Sequence, residues 1–264
     1  MVVSLLRIYT LGFFLVFIGS ANAQKDILIN DSLAAHADML KVKMGGQGLG
    51  KMWKFRFGDY SVVSSKKGWT TGSITGNLFH TKTESKTTDK FSFILSNKTN
   101  DSAWVNAASN IQIQSLQQIE ILPNFYWGEN ELVRESRNFS AFINVNRDTI
   151  ETWALFMNVA RVHDKEASYE AFLTNGSRRI FISPASGSKK NSKNPFAMDA
   201  AGYELFENSE SLCAVQYRGT GAMAFNSNIV WISRNLDDHM KFILAAALTA
   251  ILQLKTTETT EQVN

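Results

Sequence analysis

Short runs in which apolar and polar side chains alternate, separated by turn residues, dominate the chain. Trp53-Lys-Phe-Arg-Phe57 puts Trp53, Phe55 and Phe57 on one face and Lys54 and Arg56 on the other, the period of a half-buried strand. Gly58-Asp59 follows, then Tyr60-Ser-Val-Val-Ser64, and the three segments together predict a tight hairpin. A second hairpin is predicted where Asn175-Gly176 separates Tyr169-Glu-Ala-Phe-Leu173 from Arg178-Arg-Ile-Phe-Ile182, because Asn-Gly supplies the positive φ angles of a type I′ turn. Further strands are predicted over 91–95, 103–106, 111–121, 140–145, 152–158, 203–206, 212–217 and 228–232, with a weaker one over 74–79. About a dozen strands at this spacing predict a mainly β protein, an antiparallel barrel or sandwich rather than βαβ units. The chain has 3 prolines, so long sheet pairing goes uninterrupted.

Residues 80–90 carry no apolar side chain and 183–194 are small, polar and basic, so both read as loops. Residues 256–264 read as a disordered polar tail. With no internal repeat and no shift of composition, residues 24–255 are predicted to form one domain.

The segment 235–255 breaks the alternating pattern. Asn235 is placed to cap a helix, Asp237 and Asp238 fall in its first turn, and Lys255 closes the other end, all with the signs a helix dipole favours. No charge lies between Phe242 and Leu254, and the apolar side chains go nearly all the way round. Such a helix wants to be surrounded. A membrane anchor is the competing reading, but the uncharged stretch rises only about 20 Å against a hydrocarbon core of about 30 Å. A buried core helix is therefore the expectation.

A dozen strands ending in one hydrophobic helix resembles the tubby C-terminal-like barrel, a group that includes the plant LURP-one-related proteins and the phospholipid scramblases. The residues that carry the resemblance are Gly202-Tyr-Glu-Leu-Phe-Glu-Asn-Ser-Glu210, Ile229-Val-Trp-Ile232 and the start of the helix, Leu236-Asp-Asp-His-Met-Lys-Phe-Ile-Leu-Ala-Ala-Ala-Leu248. The resemblance implies a closed barrel wrapped around its C-terminal helix and, for some members, association with lipid or phosphoinositide. It carries no ligand-binding residue onto this chain.

The N-terminus changes the expected compartment. Arg7, an apolar run over 8–19 and Ser20-Ala-Asn-Ala23 are the three parts of a secretory signal peptide cleaved after Ala23. Export to a periplasm or beyond is the expectation, with Gln24 rather than a cysteine after the cut, so that no lipid is attached there. The single cysteine, Cys213, forms no internal disulfide and sits in a strand-like run, where it reads as a small buried hydrophobe. Lys and Arg number 27 against 24 Asp and Glu, a nearly balanced surface that speaks against nucleic acid as a partner. Sequons occur at Asn30, Asn97, Asn100, Asn138 and Asn175.

Candidate chemistry is sparse. Gly45-Gly-Gln-Gly-Leu-Gly-Lys51 fits a phosphate-binding loop, but Met52 stands where Ser or Thr would hold magnesium, and a strand follows instead of a helix. A flexible glycine linker is the better reading. Ser64–Lys67 and Ser186–Lys189 fit S-x-x-K in serine- and lysine-rich surroundings, and no G-x-S-x-G elbow occurs. His36, His80, His163 and His239 share no metal-ligand spacing. No catalytic residue, metal site or cofactor is assigned, and no obligate partner can be inferred. One cluster could converge as an anion or membrane-surface patch: Arg178 and Arg179 with Lys189, Lys190 and Lys193. Trp69 and Trp127, each beside a glycine, are candidate glycan or lipid contacts. The expectation is an exported, non-catalytic binding or structural module associating with lipid or a membrane surface. A hydrolase with a site assembled from dispersed residues and a tail-anchored envelope protein are the alternatives.

Overall fold

The computed structural model describes residues 26–46, 52–76, 82–116, 119–122, 125–127, 131–146, 151–163, 165–187, 200–219 and 228–261. The signal peptide read over 1–23, most of the glycine-rich loop, and Lys189, Lys190 and Lys193 lie outside them. The elements in chain order are α1 (Asp31–His36), β1 (Ala37–Lys41), β2 (Lys43–Gly45), β3 (Lys54–Phe57), β4 (Tyr60–Lys67), β5 (Thr71–Gly76), β6 (Lys82–Ser96), β7 (Ser102–Leu116), β8 (Ile119–Leu122), β9 (Phe125–Trp127), β10 (Glu131–Val145), β11 (Thr152–Val162), β12 (Ser168–Thr174), β13 (Arg179–Ser186), β14 (Ala201–Glu207), β15 (Glu210–Arg218), β16 (Ile229–Ser233) and α2 (Asp238–Glu261).

One antiparallel sheet runs β1-β16-β15-β14-β13-β12-β11-β10-β7-β6-β4-β3-β2. Its two ends, β1 and β2, are separated by Val42 alone, so the single segment 37–45 pairs with β16 along its first half and with β3 along its second. That segment closes the cylinder. Counting it once gives twelve staves, and β5 continues the stave of β4 along β6. The hairpin β8–β9 stands apart as a small second sheet.

An eight-stranded barrel is filled by its own side chains, whereas a wider one encloses space. Here α2 fills it. The helix touches β15 and β16 on one side and β7 and β10 on the other, staves that lie across the ring from one another, so it runs through the interior. Ile243 to Gln253 have essentially no exposed surface. The wall contributes Phe55, Phe57, Phe93, Leu95, Val105, Ile143, Trp153, Leu155, Leu173, Ile180, Leu205 and Val215 from alternate positions of nine strands. Of the polar groups on the helix, Thr249 donates to the Ala245 carbonyl at 2.7 Å and Gln253 Nε2 donates across to the Trp53 carbonyl at 2.5 Å, while Gln253 Oε1 is buried without a partner among the described residues.

The helix starts and stops elsewhere than the sequence pattern suggests. Asp237, not Asn235, is the cap, accepting a 2.7 Å bond from the Met240 amide. At the far end six residues expected in a disordered tail are helical. Thr257 donates back to the Gln253 carbonyl and Lys255 pairs with Glu258 at 2.9 Å, which holds the extra turn.

A second, smaller cluster lies outside the barrel. Residues 26–36 strap across β14, β15 and β16 and bury Ile27 and Leu33 against Ala214, Ile229 and Trp231. The strap is anchored by Ile27 N donating to Gln216 Oε1 at 2.8 Å and Asn30 N to Glu204 Oε1 at 2.9 Å. It passes so close that a Cβ at Gly202 would meet Ile27 Cδ1 at 2.7 Å and the Val215 carbonyl oxygen at 2.2 Å. Covered on both sides, β15 and β16 read as continuous apolar runs.

Two turn expectations fare differently. Gly58 has φ of +51° in the β3–β4 hairpin. Between β12 and β13 only Gly176 has positive φ, and Asn175 instead accepts from the Ser177 and Arg178 amides. That link is an Asx-type loop over 175–178, not a two-residue type I′ turn. Residues 82–90, expected as loop, are strand: β6 is paired on one side with β7 and on the other with β4 and β5.

Candidate functional site

With the interior full, chemistry is confined to the two mouths and the outer wall. Among the described residues, the turns that join β3 to β4, β6 to β7, β12 to β13 and β14 to β15 gather at the mouth where α2 begins. Among the described residues no group of three or more His, Cys, Asp or Glu side chains is placed to hold a metal. Cys213 is buried, and burial pushes its thiol well above the usual value.

At the turn mouth His239 meets Glu151, with Nε2 to Oε2 at 2.8 Å, and Trp153 Nε1 donates to Glu151 Oε1 at 2.8 Å. The Trp153 hydrogen bond, with that of His239, holds the Glu151 carboxyl below the usual range. The geometry would suit a general base and its orienting acid, but among the described residues His239 is bonded to no hydroxyl or thiol. The pair ties the start of α2 to the wall. Near the start of the same helix, Tyr60, stacked on Phe242, is pushed up to about 12, by burial first and then by Asp238, Asp59 and Asp38.

Of the five cations expected to converge, Arg178 and Arg179 are among the described residues, and Lys189, Lys190 and Lys193 lie outside them. Arg178 donates twice to Glu207, Nε to Oε1 at 2.9 Å and Nη2 to Oε2 at 2.6 Å, so its charge is matched. Arg179 lies on the outer wall with its guanidinium carbon 4.4 Å from the centre of the Phe172 ring. Both sit at the turn end of β13. Trp69 is 90 % exposed between β4 and β5.

The outer wall holds what the sequence reading missed. Phe156, Phe172, Phe181 and Phe206 are direct register partners on β11, β12, β13 and β14, all on the face away from the helix. Phe142 on β10 adjoins the row, its ring edge-on to Phe156 at 6.4 Å, and Phe156 meets Phe172 at 5.4 Å with 46° between planes. Phe181 is 55 % and Phe142 46 % exposed. The signal was present in Trp153-Ala-Leu-Phe-Met157 and Phe139-Ser-Ala-Phe-Ile143, where both parities carry large apolar groups. No family model, curated protein or solved structure matches the chain.

Proposed function

We propose that the chain is an exported, non-catalytic binding module that engages a lipid or membrane surface through the outer wall of its barrel. The observation that carries this reading is the row of phenylalanines on the outside of a barrel whose inside is already full. Burying one such side chain is worth about 1.5–3 kcal/mol, and contiguous apolar surface of this kind marks an interaction site. Arg179, at the edge of the row, supplies the cation that pairs with an aromatic ring at a lipid interface. Of the basic patch expected from sequence, Arg179 is the described member that enters this reading. Export rests on the signal-peptide pattern ending at Ala23. Kinship with the tubby-like barrels belongs to the same proposal and is supported by architecture alone, twelve staves around a C-terminal helix.

Flotation with phosphatidylcholine vesicles containing phosphatidylglycerol tests it. Phe142→Ser and Phe181→Ser should each weaken binding about 5-fold or more while leaving the melting temperature within a few degrees, since both side chains are half out of the fold already. Vesicle binding that ignores both substitutions would contradict the reading.

A further inference from the structure

One rung of the outer wall is polar across five strands. Thr88, Asn110, Asn138, Asn158 and Glu170 are successive register partners on β6, β7, β10, β11 and β12, so their side chains stand in line at the ~4.8 Å spacing of neighbouring strands. On the adjoining rung Ala108 and Ser140 are small where Phe156 and Phe172 are large. The missing bulk leaves a groove of about 380 Å³, with amides along one wall, the two rings along the other and Glu170 at one end. Its size falls within the ~300–1,000 Å³ of small-molecule sites.

The hydrogen-bonding capacity of this rung is largely unspent. Asn110 Oδ1 accepts from Thr88 at 3.0 Å and Asn138 Nδ2 reaches Ser136 Oγ at 3.3 Å. Asn158 and Glu170 make no side-chain hydrogen bond among the described residues.

We infer that this groove binds an uncharged sugar, and that the lipid engaged by the belt is accordingly a glycolipid; the second half rests on the lipid reading above. An amide both donates and accepts, which matches a hydroxyl that does the same, and an aromatic wall packs against the C–H face of a sugar ring. A phosphate or carboxylate would face Glu170, and among the described residues no Lys or Arg lines the groove to offset that repulsion. A cationic group would leave the amide N–H donors without acceptors. The tilted rings, 46° apart, offer no flat platform for a crystalline polysaccharide, so the groove fits one or two sugar units.

The test uses the full chain with vesicles of phosphatidylcholine alone, with phosphatidylglycerol, and with digalactosyldiacylglycerol, together with water-soluble digalactosylglycerol followed by NMR. Glycolipid vesicles should bind about 10-fold more tightly than the other two, and Asn158→Ala should remove about 5-fold of that advantage without changing binding to phosphatidylcholine. The soluble headgroup should shift amide signals around Asn138 and Asn158 in the wild type and not in Asn158→Ala. Equal binding to all three vesicles, with Asn158→Ala silent, overturns the sugar site and leaves the lipid reading standing. Headgroup binding without vesicle binding leaves the sugar site and overturns the lipid reading. Binding to neither overturns both.

Discussion

Asp101 joins two turns that are far apart in sequence. Its carboxylate accepts from Thr99 Oγ1 at 2.6 Å, Asn97 Nδ2 at 2.9 Å and Asn146 Nδ2 at 2.9 Å, tying the β6–β7 turn to the β10–β11 turn. These bonds, Thr99 first, lower its pKa to about 2. A depressed carboxylate stabilises the fold above the unfolded value near 3.9, and that contribution fades as pH falls through the folded one. NMR titration should place Asp101 at about 2 in the wild type and higher in Asn146→Ala, with acid stability lost between about pH 4 and pH 2. The tyrosines run the other way. Tyr60, Tyr203 and Tyr217 are each raised to about 12, chiefly by burial, so the folded chain retains protons that the unfolded chain loses above its tyrosine pKa of about 10. Stability should therefore fall between about pH 10 and pH 12, and less steeply in Tyr60→Phe. Burial of Cys213 and the tight turn at Gly58 were legible from local pattern. The partnership of Arg178 with Glu207 was not, because it depends on the β13–β14 pairing, which no short stretch of sequence encodes.

At the scale of elements, α2 was legible because thirteen uncharged residues with alanines and large apolar groups admit few other readings. Its ends were not, since both are set by side-chain bonds, Asp237 to the Met240 amide and Lys255 to Glu258. Leu248→Ala should cost about 2–5 kcal/mol, because the cavity lies in a closed barrel that cannot collapse around it. Ala246→Leu should also destabilise, by about 1–3 kcal/mol, because the fully buried alanine leaves no room. Chemical denaturation of the two variants measures both. Strand β6 shows the opposite case. Its first half, Lys82-Thr-Glu-Ser-Lys-Thr-Thr-Asp-Lys90, has no hydrophobic alternation and read as loop, yet it is flanked by β5 and β7. Neighbouring strands decide strand identity there, not the residues' own pattern.

For the whole molecule, strand number and the place of the helix followed from spacing and composition. Closure by residues 37–45 and the strap over 26–36 did not, since no strong alternation marks either. The outer belt was hidden for a related reason. Strands apolar on both faces look the same whether the second face is covered, as on β15 and β16, or open, as on β11 to β13. The central claim is that α2 fills the barrel and leaves binding to the outside, although the helix is long and apolar enough to cross a bilayer. Hydrogen exchange of the full chain in detergent-free buffer tests this most directly. If the helix is the core, amides 242–254 should exchange only through global unfolding and as slowly as the innermost strands. Exchange of those amides well ahead of the strands, or a chain that stays in solution only with detergent, would contradict the account and make the helix an anchor.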